Sequence, residues 1–478
     1  MSPALPIGIL IEENNLTEKQ VYFDLEQINK NLLITGADST GKSNTLKNLL
    51  AKLRSPFILF STNSNEYRQF KVTGKSIKIY TVGDKEIAPI CINPFEIYDN
   101  DSDPAGHSML TSILQNSFEL SDLTITALED CLCNSKSSNI NQFIYDINQI
   151  KTSIPNKFDS VVFSELSKII YNIQYYLPET FSDKSAFNIT DLTTKSSILE
   201  LSRLPNNYSK RFFTNTLLTL IISKLKISTA NSFRKTEPLV FIFEDAHELF
   251  PKGRTSSIIS YFIQQADRVG YSFIFLDTRP ELLDDSIICA TNSKFIHCLN
   301  SREGAIVAGA SIGFNSIDSL SINLLKTGEA YFKSPILSSP LKIAVNKLGL
   351  ANIVSYKVSD ESLKRSAGNV PQPPQWLKLA FAPKTFSIHY QEAKKYAIKL
   401  LQSDKDLSVI IEIDYLAAIS FICKAVITSK INFKTKDDYV GFTFGVFVEC
   451  LDSVRPQYIS DAKVQSDWQK QIDRLSGI

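Results

Sequence analysis

Little in this chain ties it to an oxidising compartment, a membrane or a broad nucleic-acid surface. Its seven cysteines, Cys91, Cys131, Cys133, Cys289, Cys298, Cys423 and Cys450, are odd in number and include no Cys-x-x-Cys pair, so neither a disulfide framework nor a zinc site is indicated. The four histidines, His107, His247, His297 and His389, are scattered and form no metal-binding pattern. No apolar run reaches the roughly 18 residues that span a bilayer, and the N-terminus lacks the charged-then-apolar order of a signal peptide. The expectation is a soluble, cytoplasmic protein without a membrane partner. With 51 basic and 50 acidic residues the net charge is +1, which excludes a basic coat. Lys71, Lys75 and Lys78 are candidates for a local concentration of charge in a channel, with a solvated face as the plainer alternative. No internal repeat is present. At 478 residues the chain is long enough for two or three domains of about 150 residues with a sizeable core.

What is present is a phosphate-binding pattern. The apolar run Leu32-Leu33-Ile34 is followed, after Thr35, by Gly36-Ala37-Asp38-Ser39-Thr40-Gly41-Lys42-Ser43, the strand, glycine-rich loop and helix order of a P-loop. Successive backbone N–H groups must curl around a β-phosphate, and glycine tolerates that turn and close approach. Lys42 then reaches the β- and γ-phosphates and Ser43 holds Mg2+ through its hydroxyl. A helix over 44–52 aims its positive end at the anion. Gly36, Ser39, Thr40, Gly41, Lys42, Ser43 and Asn44 form the candidate ATP-binding set. An ordinary glycine turn is the alternative, and it leaves the fixed positions of the pattern to coincidence.

Hydrolysis needs an acidic group beside this loop. Leu239-Val240-Phe241-Ile242-Phe243 is apolar throughout and ends in Glu244-Asp245, as expected of a strand buried on both faces whose C-terminal edge binds ligand. Glu244 is the candidate for Mg2+, and Asp245 for orienting or activating the attacking water. The competing reading is a strand that ends in a solvated acidic turn.

These residues, with Glu66-Tyr67-Arg68, Ile92-Asn93-Pro94-Phe95-Glu96, Glu244-Asp245-Ala246-His247-Glu248-Leu249, Arg268-Val269-Gly270, Val307-Ala308-Gly309-Ala310 and Gly328-Glu329-Ala330, resemble the HerA/FtsK superfamily over about residues 5–346, the HerA-like branch more closely. The resemblance implies a P-loop (RecA-like, ASCE) α/β fold with a mainly parallel sheet. It also implies a ring-forming, hexameric ATPase that translocates double-stranded DNA with a nuclease or another effector, in DNA processing or anti-phage defence. Such rings use an arginine from the neighbouring subunit, and Arg268 matches that place, with Arg254 and Arg279 as weaker candidates. The chain departs from the family at Ser61 (acidic in relatives), Thr278 (glutamine), Cys298 (arginine) and Asp245 (glutamate). HerA proteins also carry a small β-barrel ahead of the P-loop, for which there is no room here. These departures keep open a nucleotide-gated assembly scaffold with weak or no hydrolysis. A third reading is the energiser of a secretion or conjugation channel.

The expected organisation is a first part of the ATPase core over 1–100, a helical insertion over 101–190, the second part of the core over 191–346, a linker over 347–375 and a helical C-terminal domain over 376–478. The linker is expected from Val370-Pro371-Gln372-Pro373-Pro374, which favours an extended chain.

Overall fold

Strands made of Leu, Ile, Val and Phe without polar alternation must be covered on both faces, and this requirement explains the architecture. The computed structural model describes residues 4–24, 31–72, 76–84, 86–97, 104–134, 140–153, 160–177, 180–181, 189–230, 239–253, 258–349 and 358–367. The expected C-terminal domain, Arg254 and Lys75 lie outside them.

The strands are β1 (Ala4–Glu12), β2 (Asn15–Asp24), β3 (Leu32–Thr35), β4 (Phe57–Ser61), β5 (Ile77–Thr81), β6 (Ser196–Glu200), β7 (Leu239–Phe243), β8 (Tyr271–Asp277), β9 (Ser293–Ile296), β10 (Glu329–Lys333) and β11 (Leu341–Val345). The helices are α1 (Lys42–Leu50), α2 (Pro104–Phe118), α3 (Asp122–Asn134), α4 (Ile140–Ser153), α5 (Ser160–Tyr176), α6 (Ile189–Thr194), α7 (Asn207–Ala230), α8 (Ala246–Leu249), α9 (Ile258–Val269), α10 (Asp285–Ala290), α11 (Arg302–Ala310), α12 (Ser316–Ser319) and α13 (Asp360–Ala367).

The sheet has 11 strands in the order β2-β1-β11-β10-β9-β3-β8-β7-β4-β6-β5. From β9 to β5 the pairings are parallel. The remaining strands, including the N-terminal hairpin β1–β2, add on antiparallel. β8 stands between β3, which leads into the P-loop, and β7, which ends in Glu244. The acidic strand is therefore one place removed from the loop strand, and its carboxylates approach the loop across the end of β8.

Alternation along each central strand sorts side chains into two cores. Leu32, Ile34, Leu59, Val240, Ile242, Ile274 and Leu276 pack with Leu46, Leu49 and Leu50 of α1. Phe60, Phe241, Phe243, Phe273 and Phe275 face the other way, onto the helices. On this aromatic face Phe60 and Phe243 stack with centroids 5.0 Å apart, and Phe243 and Phe275 at 5.6 Å, each pair adding about 0.5–1.5 kcal/mol beyond its buried area. The insertion helices α2–α5 bury Leu114, Phe118, Leu128, Phe143, Ile147, Leu166 and Ile173 in the same core as α7 and α9. This insertion is thus continuous with the core beside the sheet, and Phe212 and Phe213 of α7 are core residues in it. At the far edge, exposed Lys78 on β5 lays its ammonium over the Tyr80 ring at 4.9 Å, a charge that blunts an open strand edge.

A helix, α13, stands inside the stretch read as a linker. Arg68 holds it there. This arginine donates from Nε and Nη2 to both carboxylate oxygens of Glu200 at 2.6 and 2.5 Å, and from Nη1 to Asp360 of α13 at 2.6 Å. Arg68 and Glu200 are 5% and 2% exposed, so removing one strands the other's charge in the interior. Arg68→Ala is expected to lower stability by about 3–5 kcal/mol, measured by urea unfolding. The double variant Arg68→Met, Glu200→Met should lose much less, because it leaves no buried charge unpaired.

Candidate functional site

The loop after β3 is strapped between its neighbours. Gly36 N–H donates to the Asp277 carbonyl at the end of β8 at 3.1 Å, and Ala37 N–H to the Cys298 carbonyl after β9 at 2.6 Å. Beneath it lies His297, which is fully buried. A Cβ on Gly36 would sit 2.6 Å from the His297 Cβ and 2.8 Å from Thr40 Oγ1, and one on Gly41 would sit 3.2 Å from His297 Cε1. Gly41 also holds φ at +124°, a conformation that L side chains rarely adopt. The sequence pattern explains both glycines through phosphate approach. The structure adds the histidine floor.

His297 Nδ1 lies 2.9 Å from the Glu329 carbonyl and Nε2 2.9 Å from Thr45 Oγ1. A carbonyl only accepts, so Nδ1 carries the proton and Nε2 accepts from the Thr45 hydroxyl. Burial pushes the imidazole down to about 4, with the Lys42 charge acting in the same direction and the Glu329 bond opposing both. The loop therefore rests on a neutral ring.

Above this floor, none of the N–H groups of residues 38–44 reaches an acceptor among the described residues in hydrogen-bonding geometry. Thr40 Oγ1 folds back onto the Ala37 carbonyl at 2.7 Å, and Lys42 Nζ donates to the same carbonyl at 2.7 Å. The Lys42 ammonium lies 3.7 Å from Asp38. Burial lowers its pKa, while Asp38, Asp245, Asp277 and Glu244 pull the other way. Ser39 is exposed in the left-handed region, φ +61°. Asn44 turns its side chain away from the loop, donating to the Asn346 carbonyl and accepting from Leu348 N–H, each at 2.9 Å. It contributes a backbone N–H, not a side chain.

Glu244 accepts from Ser61 Oγ at 2.6 Å and from Ser64 Oγ at 3.2 Å. Burial pushes its carboxyl up to about 7, with the Asp245 and Glu66 charges adding and the serine bonds opposing. Ser61, where the resemblance led to an acidic residue being expected, is a hydroxyl placed on Glu244. Asp245 adopts a left-handed backbone, φ +45°, at the start of α8. Its Oδ2 accepts from Thr62 Oγ1 at 3.3 Å and Asn63 Nδ2 at 3.1 Å. Tyr67, 1% exposed, places its hydroxyl beside Ser43 and Glu244, with no partner in good hydrogen-bond geometry among the described residues.

Asp277 was not among the expected site residues. It is fully buried, takes His247 N–H at 2.6 Å and the His247 ring at 3.0 Å on Oδ2, and accepts Arg279 N–H on Oδ1 at 2.6 Å. Arg279 Nη2 in turn donates to His247 Nε2 at 2.9 Å. An apolar strand ending in a carboxylate, the pattern that singles out Glu244, also marks Asp277. Thr278 is partly exposed beside it, and Cys298 Sγ lies 3.5 Å from the Asn323 carbonyl.

Arg268 does not join this cluster. It is exposed in the last turn of α9, just before β8 begins, and so lies at the sheet edge opposite the loop. Arg279 stands at the loop-bearing edge.

Loop, floor and sheet order define a P-loop, RecA-like α/β fold. No protein-family model matches the chain, and no curated protein sequence matches it. Among solved structures it is similar to VirB4 of Thermoanaerobacter pseudethanolicus, with a TM-score of 0.53 and 14% identity over 72% of this chain and 96% of that one. It is also similar to the plasmid coupling protein TrwB in complex with the GTP analogue GDPNP, at 0.53 and 11% over 70% and 89%. TrwB in complex with ADP and Mg2+ matches at 0.50 and 12% over 74% and 97%. At these identities the likeness establishes the fold.

Unfolded His297 takes up its proton near the ordinary histidine value of 6.5, folded His297 only at about 4. Between those values the unfolded chain holds the extra proton, so this residue makes stability fall as pH drops. His297→Gln removes that titration. The difference in urea unfolding free energy, wild type minus variant, should shrink by up to about 1.4 kcal/mol per pH unit from 6.5 towards 4, and parallel profiles would contradict the neutral floor.

Proposed function

We propose that the chain is an ATPase of the HerA/FtsK superfamily, of the HerA-like branch, that forms a hexameric ring and couples hydrolysis to translocation of double-stranded DNA with a nuclease or other effector partner. The observation that carries the ATPase part is the run of N–H groups over 38–44 that meet no acceptor among the described residues, with Lys42 at its side and the charges of Glu244 and Asp245 acting on it. Such a nest binds an anion. The Glu244 and Asp245 carboxylates beside Lys42, with the Ser43 hydroxyl, offer the oxygen ligands that a divalent cation takes, so the site suits a phosphate that arrives with one.

In this reading Gly36, Ser39, Thr40, Gly41, Lys42, Ser43 and Asn44 hold ATP, the last through its backbone, and Ser43 with Glu244 holds Mg2+. Magnesium supplies charge neutralisation at the phosphate oxygens when bound. Lys42 leaves the Ala37 carbonyl to meet the phosphate. Asp245, held by Thr62 and Asn63, orients and deprotonates the attacking water. Arg268 acts in trans on the neighbouring subunit's site, consistent with its exposure and with its distance from its own loop. The TrwB structures bear on cofactor choice, since they contain GDPNP in one case and ADP with Mg2+ in another.

A scaffold with weak hydrolysis is favoured by one feature, the pairing of Glu244 with Ser61 and its pKa near 7, which leaves part of the carboxyl protonated at neutral pH. A conjugation-type motor is supported by the likeness to a plasmid coupling protein. Among the described residues no helix is long and apolar enough to cross a membrane.

Steady-state ATP hydrolysis with and without linear duplex DNA separates these readings. The motor predicts strong stimulation by DNA, abolished in Lys42→Ala and Asp245→Ala. Tight binding with negligible turnover would overturn it in favour of the scaffold. Arg268→Ala is expected to lose roughly a thousandfold in rate. Mixing inactive Arg268→Ala with inactive Asp245→Ala subunits should restore hydrolysis, because a mixed interface then has one intact site and one intact arginine. No recovery on mixing would remove Arg268 from the trans role.

A further inference from the structure

Tyr67 is buried where a hydroxyl without a partner should not be. It lies in the 3-10 turn Glu66–Gln69 after β4, its Oη has no partner in good hydrogen-bond geometry among the described residues, and a buried hydroxyl left unpaired costs about 1–3 kcal/mol. The turn leaves it little freedom to seek one. Phe70 N–H donates to the Tyr67 carbonyl at 3.0 Å and Arg68 N–H to the Asn65 carbonyl at 3.3 Å. Lys47 Nζ lies 4.9 Å above the ring while pairing with Glu66 at 3.2 Å. The next residue, Arg68, is fixed by Glu200. Ring and backbone are therefore held, and the hydroxyl is presented beside Ser43 and Glu244, the two residues that would share Mg2+.

We propose that Tyr67 is a positioning residue for hydrated magnesium, its hydroxyl finding its missing hydrogen bond when the ion occupies the space between Ser43 and Glu244. The inference rests on the reading of the loop as a magnesium-ATP site. Burial and the Glu244 charge raise the phenol well above its ordinary value, so it stays a neutral hydroxyl through the working pH range. The role needs no negative charge on Tyr67. It needs a fixed dipole in a place where water around the ion would otherwise be free to reorient.

The test is thermal unfolding of the full chain as wild type, Tyr67→Phe and Lys42→Ala, each without nucleotide, with a non-hydrolysable ATP analogue in EDTA, and with the analogue across a magnesium titration. Tyr67→Phe removes an unsatisfied hydroxyl, so without ligand its midpoint should equal or exceed that of wild type. In EDTA its shift on adding the analogue should match wild type. The magnesium concentration giving half of the further shift should rise about tenfold, the weight of one lost hydrogen bond to a charged group. A magnesium response equal to wild type overturns the proposal. So does equal weakening with and without magnesium, which would assign the hydroxyl to a phosphate. So does a drop in unliganded stability with an unchanged magnesium response, which would make Tyr67 a structural residue. A wild type that shifts with neither ligand, and no more than Lys42→Ala, overturns the nucleotide site itself and this inference with it.

Discussion

The site depends on the strapping of the phosphate loop between β8 and β9 over a buried, neutral imidazole. Two backbone bonds, from Gly36 to Asp277 and from Ala37 to Cys298, spend the first two N–H groups of the loop on the protein and leave those of residues 38–44 without an acceptor in hydrogen-bonding geometry among the described residues. Without the straps the loop would be free to satisfy itself. With them, and with His297 filling the space that two Cβ atoms would need, it is a preformed anion nest at the N-terminus of α1. A charged His297 would put a second cation under Lys42, and burial prevents that.

The parallel strands set everything else. Because β3, β4, β7 and β8 run the same way, their C-terminal ends collect on one edge, and each ends in a polar group: Thr35, Ser61, Glu244 and Asp277. These groups then satisfy one another. Ser61 sits on Glu244, Thr62 and Asn63 on Asp245, His247 and Arg279 on Asp277. The result is a rigid acidic rim around a single lysine, in which Glu244 is held near 7 and Asp277 is consumed by structural bonds. The Tyr67 hydroxyl differs from these rim groups, having no partner in good hydrogen-bond geometry among the described residues.

The local parts of this arrangement were legible in the sequence. An apolar run before a glycine-rich loop, and an apolar run before Glu244-Asp245, are patterns of adjacent residues that act within one or two elements. The remainder depends on topology. Thr35 meets Asp277 across 242 positions, His297 becomes the floor because β9 pairs with β3, and neither follows from spacing. Arg268 shows the limit from the other side. Its sequence neighbourhood resembles that of a trans-acting arginine, but strand direction decides which edge it reaches, and it reaches the edge away from its own loop. The linker expected over 347–375 contains α13, because Asp360 reaches an arginine 292 positions earlier. No local composition announces such a contact.

The function of the loop is decided by what occupies it. A crystal structure with magnesium and a non-hydrolysable ATP analogue should show the β- and γ-phosphates on the N–H groups of 38–44, Lys42 Nζ moved from the Ala37 carbonyl to a phosphate oxygen, and the ion between Ser43 and Glu244. Phosphates bound elsewhere, or a loop that stays closed on Lys42 at saturating analogue, would contradict it.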